Sequence, residues 1–177
     1  MALLKLARMG HPVLRRRAEE VADPGGEALR LLVLDMIETL EDSGGVGLAA
    51  PQVHVPWRVV IFKPPAEADE PRELMVLVNP VVEPLSDLGE LGWEGCLSVP
   101  GLRGAVRRAA RIRYRGVTPE GVAIDRVAEG YHARIVQHEC DHLDGILYPQ
   151  RMTDLRLLAF TEEWQRYGSE FPLAGGS

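Results

Sequence analysis

Cysteine is scarce in this chain of 177 residues: only Cys96 and Cys140 are present, so no disulfide framework is expected. With 46% hydrophobic residues, the chain can bury a sizeable core without covalent staples or an obligatory partner, and its length fits one domain over residues 1–177. Long apolar runs are also lacking, and none approaches the ~18 residues that a membrane span needs. Lys5 and Arg8 interrupt the only short leucine cluster, and Arg15, Arg16 and Arg17 follow it, which is not the order of a secretory signal. A cytoplasmic protein is expected, in a reducing compartment where a free thiolate stays available as a ligand. Positive charge is in deficit, with 20 Lys and Arg against 26 Asp and Glu for a net charge of -6. That balance excludes broad binding to a nucleic-acid backbone. One local basic run, Arg103, Arg107, Arg108, Arg111, Arg113 and Arg115, reads as the solvated face of a strand pair, with contact to RNA or an acidic partner as the alternative.

The spacing of Leu29, Leu32, Val33, Met36, Ile37 and Leu40 predicts an amphipathic helix from about Glu27 to Asp42, stopped by Gly44 and Gly45. β-rich runs follow at Trp57 to Phe62, Leu74 to Val78 and Val81–Val82, with Lys63-Pro64-Pro65 and Asn79-Pro80 read as turn punctuation. Segments 105–115 and 122–128 read as a hairpin around Thr118-Pro119-Glu120-Gly121. A second helix is expected from about Tyr131 to Leu143, ended by Asp144-Gly145. A third is expected from near Thr153 to Arg166 on Leu155, Leu158, Ala159 and Trp164, with a frayed tail from Phe171 to Ser177. This order implies an α+β fold: mostly antiparallel sheet around the second helix, with an N-terminal and a C-terminal helix.

Within the second helix lies His138-Glu139-Cys140-Asp141-His142. A four-residue spacing sets both imidazoles on one helical face, one turn apart, where they can hold one ion together. Glu139 then points near the open coordination position, placed to take a proton from bound water and return it to a leaving group. A catalytic site needs a third protein ligand. The pattern that continues to a third histidine fails, because Tyr148 stands where that histidine would be. Glu162, with Glu163 beside it, has the spacing of a glutamate ligand on a following helix; Cys96 in Glu94-Gly95-Cys96-Leu97-Ser98 is the other candidate. Cys140 falls on the opposite side of the helix and reads as a packed thiol. His11, His54 and His132 read as ordinary non-ligand histidines.

Three segments together resemble the signature motifs of the peptide deformylase family: Gly45 to Gln52, Glu94 to Ser98, and Gln137 to His142. The likeness extends to Arg8-Met9-Gly10 through Leu14, to Asn79-Pro80, to Arg108 and to Leu143 through Tyr148, covering roughly residues 6–152. It implies that Cys96, His138 and His142 hold one divalent metal ion. The family works naturally with Fe2+, and Zn2+, Ni2+ or Co2+ also suit mixed sulfur and nitrogen ligands. It implies removal of the formyl group from formyl-methionine at the N-termini of nascent polypeptides, with release of formate. Metal-bound water attacks the formyl carbon, Glu139 serves as general base and acid, and Gln52 and the Leu97 N–H stabilise the oxyanion. Gly45, Gly47 and Gly95 are expected to let an extended peptide approach as an added strand. Val46, Tyr131, Arg134 and Ile135 are expected to line the methionine pocket, Arg134 covering it with its stem and keeping its charge in water. A monomer is expected. Contact with the ribosome would be transient, since the C-terminal segment balances Arg151, Arg156 and Arg166 with Asp154, Glu162, Glu163 and Glu170.

Overall fold

The computed structural model describes residues 2–65, 74–86 and 89–171. Helix α1 (Glu27–Ser43) buries Leu29, Leu32, Val33, Met36 and Leu40 and ends on Gly44, whose φ of 65° is the left-handed turn expected after a helix. Strands β1 (Gly47–Ala49), β2 (Val59–Phe62) and β3 (Met75–Pro84) follow, then β4 (Gly89–Cys96), β5 (Val99–Ala109), β6 (Arg111–Val117) and β7 (Ala123–Glu129). Helix α2 (Gly130–Leu143), strand β8 (Leu158–Phe160) and the short helix α3 (Thr161–Tyr167) complete the order. The strands form two antiparallel sheets, β1-β2-β3-β6-β7 and β4-β5-β8. The fold is α+β, as the element order implied.

The five-stranded sheet is covered on both faces. In β2 the alternation of a strand sends Val59 and Ile61 toward α1 and its cluster of Leu29, Met36 and Leu40. Val60 and Phe62 enter the other cluster, with Ala133, Val136 and Leu143 of α2. This two-sided burial explains why that run is apolar throughout. Helix α2 is buried along almost its whole length. Its apolar side meets the five-stranded sheet, and its polar side faces β4 and β5 of the smaller sheet, so the histidine pair lies between the two sheets.

Four readings of the sequence are corrected here. Segment 105–115 is not one strand: it ends β5 at Ala109 and starts β6 at Arg111, so the chain crosses between sheets there. The hairpin around Thr118 to Gly121 is β6–β7. Asn79-Pro80 does not end a strand but forms a bulge within β3, where Asn79 takes a φ of 51°. The Asn79 side chain stabilises that kink by accepting from the Val21 N–H at 2.8 Å and donating to the Val21 carbonyl at 3.0 Å.

The expected third helix is broken. Asp154 caps a 3-10 turn at Leu155–Leu157, and Leu158–Phe160 then pairs with Leu102 to Gly104 of β5 as the edge of the smaller sheet. Only Thr161–Tyr167 is helical, and Leu155 is exposed. Of the tail expected to fray from Phe171 to Ser177, Phe171 sets its ring edge-on to Trp93, with centroids 5.4 Å apart, and 172–177 lie outside the described residues. Finally, the arginine run is not a uniform solvated face. Arg111, Arg113 and Arg115 are exposed and pair with Glu129, Asp125 and Glu83, and Arg103 lies 4.4 Å over the Trp164 ring. Arg108 is buried between the sheets.

Candidate metal centre

Cys96 is the last residue of β4, and a tight turn at Leu97 and Ser98 returns the chain into β5. This places its sulfur over the polar side of α2, 3.3 Å from His142 Nε2. The ligand atoms of Cys96, His138 and His142 all lie within 4.8 Å of one another, a spread that one ion can bridge. Glu162, the other candidate for third ligand, sits exposed on α3 and is not in this group. Cys140 packs into the apolar core beside Leu143. Tyr148, found where a third histidine would stand, is a buried wall whose ring stacks on His138 with centroids 6.2 Å apart.

Glu94, two residues before the thiol, holds His138 in place. The two atoms His138 Nδ1 and Glu94 Oε2 are 2.8 Å apart, so Nδ1–H donates to the carboxylate and the lone pair of Nε2 is left for an ion. Arg108 donates to both Glu94 oxygens, at 2.9 and 3.0 Å, and its remaining arm reaches Asp141 of α2. Arg151 grips Asp141 from the other side with two bonds of 3.1 and 2.7 Å. The ion pairs therefore tie the strand bearing the thiol to the helix bearing the imidazoles. Burial opposes charge on Glu94, yet hydrogen bonds from His138 and Arg108 outweigh it and bring the carboxyl down to about 2.

Burial likewise opposes charge on His138, but its contacts with Cys96 and Glu94 carry its pKa well above the usual range. His142 moves the other way, well below its usual range, through burial and the neighbouring His138. A sulfur and two imidazoles converging within 4.8 Å, one imidazole favouring positive charge and the other disfavouring a proton, are chemically suited to a shared cation. Glu139 adds a second fit. Its Oε2 is buried without a hydrogen-bond partner among the described residues, and burial pushes its carboxyl up to about 7. A bound cation would draw that value down again.

Gly47 makes room for Glu139. A methyl group built on Gly47 would come within 2.7 Å of Glu139 Cδ. Gly47→Ala should therefore displace the carboxylate and lower kcat by about tenfold or more, with metal content unchanged; wild-type kcat in that variant would show that the close approach has no catalytic consequence. Gln52 is buried and oriented from both ends. Its Oε1 accepts from the Ala49 N–H at 2.8 Å, which turns Nε2 toward Ser98 Oγ at 3.1 Å and Cys96 Sγ at 3.5 Å.

One open cleft of about 1330 Å³ reaches Gln52, Cys96, Leu97, His138 and Glu139. Gly45, Val46, Gly47 and Gly95 border it, and so do Tyr131, Arg134 and Ile135 of α2. Val46 and Tyr131 are exposed at its rim, whereas Ile135 is buried. Arg134 differs from its expected pose: the guanidinium is buried, not in water, and donates to Glu94 Oε1 at 2.9 Å. Sequence reasoning also missed the supporting roles of Glu94, Asp141 and Arg151. The first two were visible only as members of motifs, and nothing local to Arg151 shows what it would pair with.

A family model described as Polypeptide deformylase matches residues 3–157. Peptide deformylase 2 of Ralstonia nicotianae is 51% identical over 163 residues, covering 89% of this chain and 91% of that protein. Peptide deformylase 1 of Bordetella pertussis is 52% identical over 163 residues, covering 89% and 92%. Among solved structures, a class I type b peptide deformylase of Acinetobacter baumannii with Met-Ala-Ser bound matches with a TM-score of 0.79 at 38% identity, covering 85% of this chain and all of that one, 100%. The enzyme of Thermotoga maritima matches with a TM-score of 0.79 at 34% identity, covering 87% and 100%. With the cysteine and histidine pair gathered at one cleft and relatives alike over nearly their full length, this chain belongs to the peptide deformylase family of hydrolases.

Proposed function

We propose that this chain acts in the cytoplasm as one catalytic domain that removes the formyl group from formyl-methionine at the N-termini of nascent polypeptides. The observation that carries this reading is the meeting, at the floor of one cleft, of three ligand atoms within 4.8 Å and a buried carboxylate oxygen without a partner among the described residues. A divalent ion held by Cys96, His138 and His142 would polarise the formyl oxygen and acidify a water molecule there. Glu139 takes the proton of the attacking water and returns it to the leaving amine. The Gln52 amide, turned toward the thiol by Ala49, and the Leu97 N–H stabilise the oxygen that gains negative charge.

The bare edges at Gly45, Gly47 and Gly95 admit the peptide backbone, and Val46, Tyr131 and Ile135 enclose the methionine side chain beside the stem of Arg134. The Acinetobacter enzyme binds Met-Ala-Ser, a peptide with the free methionine end that deformylation leaves. The protein works as a monomer. It meets the ribosome only transiently, because Arg156 and Arg166 of the C-terminal segment already pair with Asp154 and Glu163.

Formate release from formyl-Met peptides, measured with metal content, tests the reading. Cys96→Ala is expected to lose both metal and turnover, and Glu162→Ala neither. A Cys96→Ala protein that keeps its metal would sink the assignment. Iron(II) is the natural ion. Aerobic preparation should cost activity that nickel or cobalt restores, and equal activity with every metal and no sensitivity to air would count against iron.

A further inference from the structure

We infer that Arg134 is a positioning residue for the metal centre, acting through Glu94 on His138, and that Gly92 is its obligate partner. The inference rests on the reading of Cys96, His138 and His142 as metal ligands. Arg134 lies four residues before His138, one turn along α2 on the same face. Its guanidinium crosses from the helix to the smaller sheet and donates there through both terminal nitrogens. Nη1 donates to Glu94 Oε1 at 2.9 Å, to the Val106 carbonyl at 2.8 Å and to the Gly92 carbonyl at 3.2 Å. Nη2 donates to the Glu90 carbonyl at 2.7 Å. The side chain is only 10% exposed, so the charge is largely withdrawn from water.

Glu94 is thus held by two guanidinium groups, and the division between its oxygens matters. Oε1 accepts from Arg134 and Arg108, while Oε2 accepts from Arg108 and His138 Nδ1–H. Arg108 alone leaves the carboxylate a pivot about its own fork. Arg134 approaches from α2 and removes that freedom, so the oxygen that orients the His138 ring stays in place. Gly92 makes the seat available. A Cβ on Gly92 would stand 2.8 Å from both Cζ and Nη2 of Arg134, and 3.0 Å from Nε. Those atoms cannot move aside while the carbonyl contacts persist, so any side chain at Gly92 expels the guanidinium. The residues before the thiol and those before the histidine pair are matched to each other.

The test is cobalt(II) titration of the metal-free protein, read from the visible absorption of the bound ion, together with kcat and KM for a formyl-Met peptide. Arg134→Ala should weaken cobalt binding by roughly tenfold or more, the scale of losing a group that orients a metal ligand, and should change the absorption bands because His138 sits less firmly. Gly92→Ala removes no polar group, yet should weaken binding to a similar degree. The double variant Gly92→Ala/Arg134→Ala should be no weaker than Arg134→Ala alone, because the group that the added methyl displaces is already gone. Thermal unfolding of each metal-free variant separates a loss of fold from a loss of ligand orientation. Wild-type cobalt affinity and bands in Arg134→Ala, or losses from the two single changes that simply add, would overturn the inference. Cys96→Ala serves as the control: if it still binds cobalt as wild type does, the metal-centre reading itself has failed.

Discussion

Replacing Glu139 with alanine should lower kcat for formate release by about a hundredfold to ten-thousandfold while metal content stays at the wild-type level. The size follows from the role proposed for the carboxylate, taking a proton as the nucleophile attacks and delivering it as the amine leaves. The retention of metal follows from geometry, since the residues gathered to hold an ion are Cys96, His138 and His142, without Glu139. The Oε2 of Glu139 has no partner among the described residues, so its removal strands no buried donor there. Glu139 acts as a base only when ionised, so wild-type kcat/KM should fall as pH drops through its pKa. Burial pushes that value up to about 7, and a cation held by Cys96, His138 and His142 would lower it. That acid limb should be missing from the residual rate of the variant. Residual activity within tenfold of wild type, or loss of metal along with activity, would refute the assignment.

The second large effect is on stability. Glu94→Ala would leave the buried guanidinium groups of Arg108 and Arg134 without their shared carboxylate. Breaking a buried ion pair from one side costs about 3–5 kcal/mol, a large part of the stability of a small domain. It would also free the His138 ring, so metal affinity should fall with the melting temperature. The same network gives a pH signature. The folded Glu94 carboxyl is held at about 2, below its ordinary 4.5, because hydrogen bonds from His138 and Arg108 outweigh the cost of burial. Its stabilisation is therefore complete above about 4.5 and disappears as pH falls from there toward 2. Chemical denaturation from pH 6 downward, on the order of half a unit per step, measures it. Glu94→Gln should be less stable than wild type at pH 6 and flatter toward acid. Parallel curves for the two proteins would show that Glu94 is not the source.

The places where sequence and structure part company share a cause. Helices α1 and α2 announce themselves because three- and four-residue spacing is a local property, and glycines at Gly44 and Gly145 mark their ends. The strand at Leu158–Phe160 carries no such mark. It exists because Leu102 to Gly104, more than fifty residues earlier in the chain, offer it an edge. The Asn79 bulge reads as a stop signal until its side chain is seen bonded to Val21. Arg108 looks like its exposed neighbours, and only the packing of the two sheets shows that it lies between Glu94 and Asp141.

By itself the sequence determined the chemistry on offer: two imidazoles one helical turn apart, a carboxylate beside them, a thiol in a glycine-flanked turn, and an α+β order of elements. Local spacing left both the sulfur and the Glu162 carboxylate open as partners of the imidazoles, and the family resemblance favoured the sulfur; the distance itself is decided by how the sheets close on α2. The tertiary structure also decided what holds the ligands still. Ion pairs between Glu94, Arg108, Arg134 and Asp141 join residues far apart in the chain, and no local spacing records a partner that only burial brings near.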